Sequence, residues 1–153
     1  MLKSIKLVLK EGTTFDLYFN DMTVKRYDVL FLADKFPQLN ALKDRQLFLK
    51  GKLLGWSGVY WNEALDIECD TVHEDGVDVS NEYDDIENVV LGYRIKELRH
   101  NAGLSQVELA TKAGINQSDL SKVEKGLANP SVKILSRILS VLNARLTIES
   151  DYQ

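Results

Sequence analysis

The hydrophobic period of this chain changes once, and that change limits its folds more than any other feature. From Ile5 to about residue 70, apolar residues tend to alternate with polar ones. From Ile86 onward they recur every three or four residues. A period of two lines one face of a strand, and a period near 3.6 lines one face of a helix. The two stretches therefore cannot belong to one repeating element. The expected fold class is α+β, with a small antiparallel β-rich domain over residues 1–79 and a helical bundle over 80–153.

In the first domain, Ile5–Leu9, Phe15–Phe19 and Thr23–Tyr27 are separated by Glu11-Gly12-Thr13 and by Asn20-Asp21. Short runs rich in Val, Thr, Tyr and Phe between such turn residues predict an antiparallel meander. Val29–Phe36 reads as a short helix stopped by Pro37. Phe48–Gly55, Gly58–Trp61 and Leu65–Cys69 read as further strands. Seven acidic residues lie from Glu74 to Glu87 with no basic residue among them. They predict a solvated linker that runs into a helix start at Ser80 or Asn81, where carboxylates suit the positive end of the dipole.

Charge separates the two parts. The net charge is −4, but residues 1–85 carry 10 Lys and Arg against 16 Asp and Glu, whereas 86–153 carry 9 against 7. A basic second half permits a polyanionic partner without requiring one. Cys69 is the only cysteine, so an intramolecular disulfide is excluded. Lysines interrupt each apolar run near the N-terminus, unlike a signal peptide or a membrane span, and a reducing cytoplasm is the expected setting.

The helical half carries the most specific pattern. Leu91, Ile95, Leu98 and Ala102 lie at one-turn spacings and end at Gly103. Ser105 with Glu108 makes a capping-box pattern for a second helix, which stops at Ala113-Gly114. Asn116 sits where it can cap a third, Gln117–Lys125, and Ser131 a fourth, whose apolar stripe is Ile134, Leu135, Ile138, Leu139 and Leu142. Two short helices joined by Ala113-Gly114-Ile115 fit a helix-turn-helix: Gly114 supplies the positive φ of the turn, and Ala110 lets the helices cross closely. Leu146–Ile148 alternates again and reads as a terminal strand.

Leu104 to Ile115, Asn116 to Gly126 and Leu127 to Ser131 together resemble the phage-repressor (Cro/C1, XRE-type) helix-turn-helix family over some 50 residues. That resemblance implies a lambda-repressor-like bundle that binds double-stranded DNA as a transcriptional regulator. It implies that Gln117, Ser118, Ser121 and Lys122 read bases, since glutamine pairs with adenine and lysine donates to guanine. Gln106, Asn116, Lys125 and Asn129 would lie at the DNA backbone. Arg99 and Glu124 would form an internal salt bridge, with Gly114 and Ala110 structural. Such domains bind as two-fold dimers on half-sites about 34 Å apart, and Leu146 and Ile148 of the terminal strand are the expected dimerisation residues.

Leu17–Asp28, Leu42–Phe48 and Val59–Ile67 resemble the β-rich family DUF2442, whose role is undefined; the resemblance covers residues 2–79. Trp56, Tyr60 and Trp61 suggest a ligand platform or, more simply, core. No spacing of Ser, His, Asp or Cys builds a nucleophile with its base, and Cys and His are too few for a zinc site. Neither enzymatic activity nor a metal or cofactor is expected. The alternative function is that of an antitoxin: the first domain binds a toxin protein and the helix-turn-helix gives autorepression.

Overall fold

The alternating segments at the start of the chain pair as a meander in the computed structural model, which describes residues 1–151. Strands β1 (Ser4–Leu9), β2 (Thr14–Phe19) and β3 (Val24–Asp28) run antiparallel. Gly12 turns β1 into β2 at φ 64°, and Met22 makes the second turn at φ 73°. A left-handed backbone is costly for a side chain with a Cβ. Asp21 compensates by accepting from the Thr23 amide and hydroxyl at 3.1 and 2.6 Å.

Phe15, Leu17 and Phe19 face a core shared with Tyr27, Val29, Leu42, Phe48 and Trp61. A 3₁₀ turn over Val29–Leu32 stands where the sequence predicts a short helix, started by the Asp28 carboxylate on the Leu30 amide. Pro37 opens a second 3₁₀ segment, Pro37–Lys43, rather than only ending the first, because its fixed φ suits a first helical position.

Two expected strands are shorter than the alternation predicts. Phe48 closes helix α1 (Arg45–Phe48), begun by Asp44 accepting from the Gln46 amide, and only Lys52–Leu53 remains as strand β4. The Trp61 indole donates to the Phe48 carbonyl at 2.8 Å. Cys69 does not end a strand either. Strand β6 (Leu65–Glu68) stops at Glu68, and Cys69 begins helix α2 (Cys69–Asp75). With β5 (Gly58–Asn62), these strands form a second sheet in the order β4-β5-β6, while β7 (Val77–Asp78) joins the edge of β3. Trp61 and Ile67 are core, Tyr60 is half-buried and Trp56 half-exposed.

The acidic stretch is ordered rather than a linker: it covers the end of α2, β7 and a 3₁₀ turn over Ser80–Glu82. The next helix starts at Ile86 instead of Ser80 or Asn81, while the acids of the stretch other than Asp85 stay exposed as expected. The chain divides into two compact units, Met1–Glu87 and Asn88–Gln153, and residues 80–85 lie against the first sheet. Asp16 and Tyr18 point from β2 to the face opposite the core. There Asp16 is fully buried and accepts a two-pronged bond from Arg26, at 2.8 and 2.9 Å, and another from the Tyr83 hydroxyl. Arg26 also reaches Glu82 at 2.8 Å. Asp85 accepts from the Tyr18 hydroxyl at 2.6 Å and from Lys6 at 3.1 Å. Burial pushes both phenols well above their usual range, and the adjoining carboxylates add to it. Burial also opposes the charge on Asp85, but the bonds from Tyr18 and Lys6 outweigh it and hold that carboxyl below its ordinary value.

The second unit contains α3 from Asn88 onward (whole helix Ile86–Asn101), α4 (Gln106–Ala113), α5 (Gln117–Glu124) and α6 (Val132–Val141). Its core joins Ile95, Leu109, Leu120, Val123, Leu135 and Ile138. The buried stripe of α3 is Val89, Gly92, Ile95 and Arg99, whereas Leu98 and Ala102 are exposed. The apolar pattern alone misassigns that face, because a glycine and an arginine occupy it. The expected terminal strand does not form among the described residues: beyond α6 no ladder involves Leu146–Ile148 within the single chain. A strand needs a neighbour for its main-chain groups, and alternation of side chains alone does not supply one.

Candidate nucleic-acid interface

Everything that positions α5 begins with backbone chemistry at its two ends. Ser105 and Glu108 form a reciprocal capping box at the start of α4. Gly114 closes that helix at φ 70° and ψ 35°, and Ile115 returns its amide to the Ala110 carbonyl at 3.0 Å. Asn116 takes the extended cap position of α5, yet its side chain makes no cap bond. The expected Asn116 cap is thus a matter of backbone only. Asn116 is exposed, and no side chain caps the first amides of α5.

The far end of α5 is fixed by close packing. A Cβ on Gly92 would meet the Val123 carbonyl at 2.2 Å, and one on Gly126, whose φ is 72°, would meet the Val89 backbone at 2.7 Å. Only glycine lets α3 cross α5 at this distance. Sequence reasoning passes over Gly92, although an isolated glycine inside a helix is a packing signal.

Between these ends runs a continuous polar relay. Arg99 donates to both Glu124 oxygens at 2.8 Å, and their side chains are only 7% and 2% exposed. A third Arg99 nitrogen donates to the Leu104 carbonyl at 2.9 Å. Glu124 then accepts from Gln106 at 3.2 Å, and Gln106 accepts from Gln117 at 2.8 Å. The first pair is shielded and bidentate, the strong form of such a bond. It holds Gln106, which in turn holds an exposed Gln117.

Of the candidate reading and backbone residues, Gln106 and Gln117 are joined directly. Asn116, Gln117, Ser118 and Lys122 are exposed on α5 or at its cap, and Ser121 is half-buried. Gln106 is half-buried at the start of α4; Lys125 and Asn129 are exposed just past α5, and Ala110 is buried where α4 meets the core. Leu146 and Ile148 lie apart, exposed beyond α6. Asp119 is exposed as well and lines a small apolar hollow with Ile115, Lys122 and Ile134.

A short helix carried on a glycine turn, with its leading end exposed and its core side packed under a second helix, defines a helix-turn-helix. Residues 95–148 match the family model described as Helix-turn-helix (HTH_3). An uncharacterized HTH-type transcriptional regulator of Archaeoglobus fulgidus is 42% identical over 53 residues, covering 35% of this chain and 76% of the relative. By its second unit, the chain belongs to this family. The HTH-type transcriptional regulator SinR of Bacillus subtilis is 44% identical over 55 residues, 35% of this chain, and the match spans half (50%) of SinR. Among solved structures, the restriction-modification controller protein C.AhdI from Aeromonas hydrophila shows 34% identity, covering 39% of this chain and 89% of its own, with a TM-score of 0.38.

Proposed function

We propose that this chain is a sequence-specific double-stranded DNA-binding protein, a cytoplasmic transcriptional regulator that inserts the start of α5 into the major groove. The observation that carries this reading is the relay from the buried Arg99–Glu124 pair through Gln106 to the exposed Gln117. A carboxamide has two N–H groups and one oxygen. Gln117 donates one N–H to Gln106, which leaves the second N–H and the oxygen for N7 and N6 of an adenine. Gln106 likewise keeps an N–H beyond the one given to Glu124, available to a phosphate oxygen.

Around this pair, Ser118, Ser121 and Lys122 reach base edges, while Asn116, Lys125 and Asn129 touch the backbone. The relatives' names as transcriptional regulators support the same reading. The protein acts as a homodimer, with the exposed Leu146 and Ile148 as the pairing segment. Residues 1–79, the DUF2442-like part of unit Met1–Glu87, are a second module whose partner is a protein.

Selection on random duplex DNA tests the proposal, since it should return a pseudo-palindromic site. Gln117→Ala should then cost about 1–3 kcal/mol on that site and relax preference at one base position per half-site. Lys125→Ala should weaken selected and random duplex alike and flatten the salt dependence. Equal losses on both duplexes for Gln117→Ala would remove its reading role.

A further inference from the structure

Strand β6 ends the sheet β4-β5-β6, so one of its sides has no strand neighbour. The Cys69 amide donates to the Ser57 carbonyl at 2.7 Å, and Ile67 stands opposite Val59 in the ladder with β5. Alternation then turns the amides of Asp66 and Glu68 away from β5, toward the open side. An edge of this kind is a template for another chain.

Two features distinguish it from a bare edge. Two clefts open along it, of about 430 and 480 Å³, and Asp66, Ile67 and Glu68 border both. Leu54 and the half-exposed Trp56 wall the first, and Leu32 and Phe36 wall the second. Asp70 adds its carboxylate to the first cleft and Asp75 to the second, where Lys35 also contributes to the wall. Charge along the chain is equally one-sided. From Leu53 to Asp75 there are six Asp and Glu and no Lys or Arg.

We propose that the open side of β6 docks an extended, basic segment of a partner protein. That segment adds as a further strand, bonding main chain to main chain at Asp66 and Glu68. Its apolar side chains seat against Trp56 in one cleft and Phe36 in the other. Its Lys or Arg side chains meet Asp66, Glu68, Asp70 and Asp75. Strand addition gives affinity through the backbone, and the flanking pockets and charges give specificity. The proposal deepens the reading of the first unit as a partner-binding module and is independent of what α5 reads.

The test uses the full chain, labelled for amide hydrogen exchange, with the octapeptide acetyl-(Lys-Val)4-amide as probe and acetyl-(Glu-Val)4-amide as its opposite. The basic peptide should slow exchange at the Asp66 and Glu68 amides roughly tenfold or more, and the acidic one should not. Asp66→Pro removes one outward donor while leaving the ladder to β5, and it should abolish binding. The double variant Asp66→Lys with Glu68→Lys should lose the basic peptide and gain the acidic one, a result that does not depend on tolerance of the proline. Absence of protection, protection centred elsewhere, equal binding of both peptides, or unchanged binding by both variants would overturn the proposal. Retention on random duplex DNA, measured on the same samples, reads α5 separately, so a failure at β6 is told apart from a failure at the groove.

Discussion

Each unit buries a carboxylate in the fork of an arginine, and the two pairs serve opposite ends. In the second unit, Glu124 lies between Arg99 and Gln106, so the buried charge fixes a relay that surfaces at Gln117. In the first, Asp16 lies between Arg26 and the Tyr83 hydroxyl, so the charge draws a chain segment down onto the sheet. One pair works outward to orient a surface side chain; the other works inward to fasten a segment onto a sheet face. The same chemistry thus yields a site or a fastening, depending on whether the next hydrogen-bond partner faces solvent or chain.

The largest effect expected from breaking this symmetry is at Arg99. Arg99→Met strands Glu124 as a buried, unpaired charge and should cost about 3–5 kcal/mol in urea unfolding. Adding Glu124→Met should recover most of that stability without restoring DNA affinity, because Gln106 then lacks its anchor. Full recovery of binding by the double variant would uncouple the pair from the site.

Gly92→Ala comes next. Its methyl would meet the Val123 carbonyl at 2.2 Å, so α3 and α5 must separate, at about 1–3 kcal/mol. Thermal unfolding of the variant and its affinity for the selected duplex should fall together.

A pH titration sharpens the contrast on the side of the first unit. Asp85 has its carboxyl held below the ordinary value, so its contribution is present above the unfolded-state pKa of about 4 and fades as acid passes the folded-state value. Tyr18 and Tyr83 are raised. Their contributions are complete below about pH 10 and fade as alkali passes their higher folded-state values. Protection of the Ser80–Asp85 amides, taken relative to the intrinsic exchange rate at each pH, should therefore fall at both extremes and stay high between. Tyr83→Phe should lower that protection at neutral pH as well.

The smallest effect is expected at Met22. Its left-handed backbone should make Met22→Gly stabilising by up to about 1 kcal/mol in thermal unfolding of the first unit.

Legibility in the sequence follows the range of the interactions. Caps and turns are local, so the boundaries of α4 and α5, the glycine turn at Gly114 and the meander β1-β2-β3 can be read from neighbours a few residues apart. Residues 80–85 cannot. Their acids look unpaired because their partners, Lys6, Tyr18 and Arg26, lie more than fifty residues upstream. Cys69 and Phe48 mislead for a related reason: apolar residues at a strand end and in a short helix look alike when the cap is a single aspartate or a backbone turn. On α3, the core-facing stripe contains Gly92 and Arg99, which no count of apolar residues would choose. The exposed positions of the interface residues follow from helix phase, whereas the bond from Gln106 to Gln117 joins two helices and has no local sign.

That bond between two glutamines has a kinetic consequence. A free carboxamide on a surface helix samples several rotamers and must be frozen when it meets a base. Gln117 is already detained in one orientation before any duplex arrives, so on the proposed reading the ordering cost at encounter is small for every sequence. Correct and incorrect sites should then be met at similar speed, and the difference between them should lie in how long the protein stays.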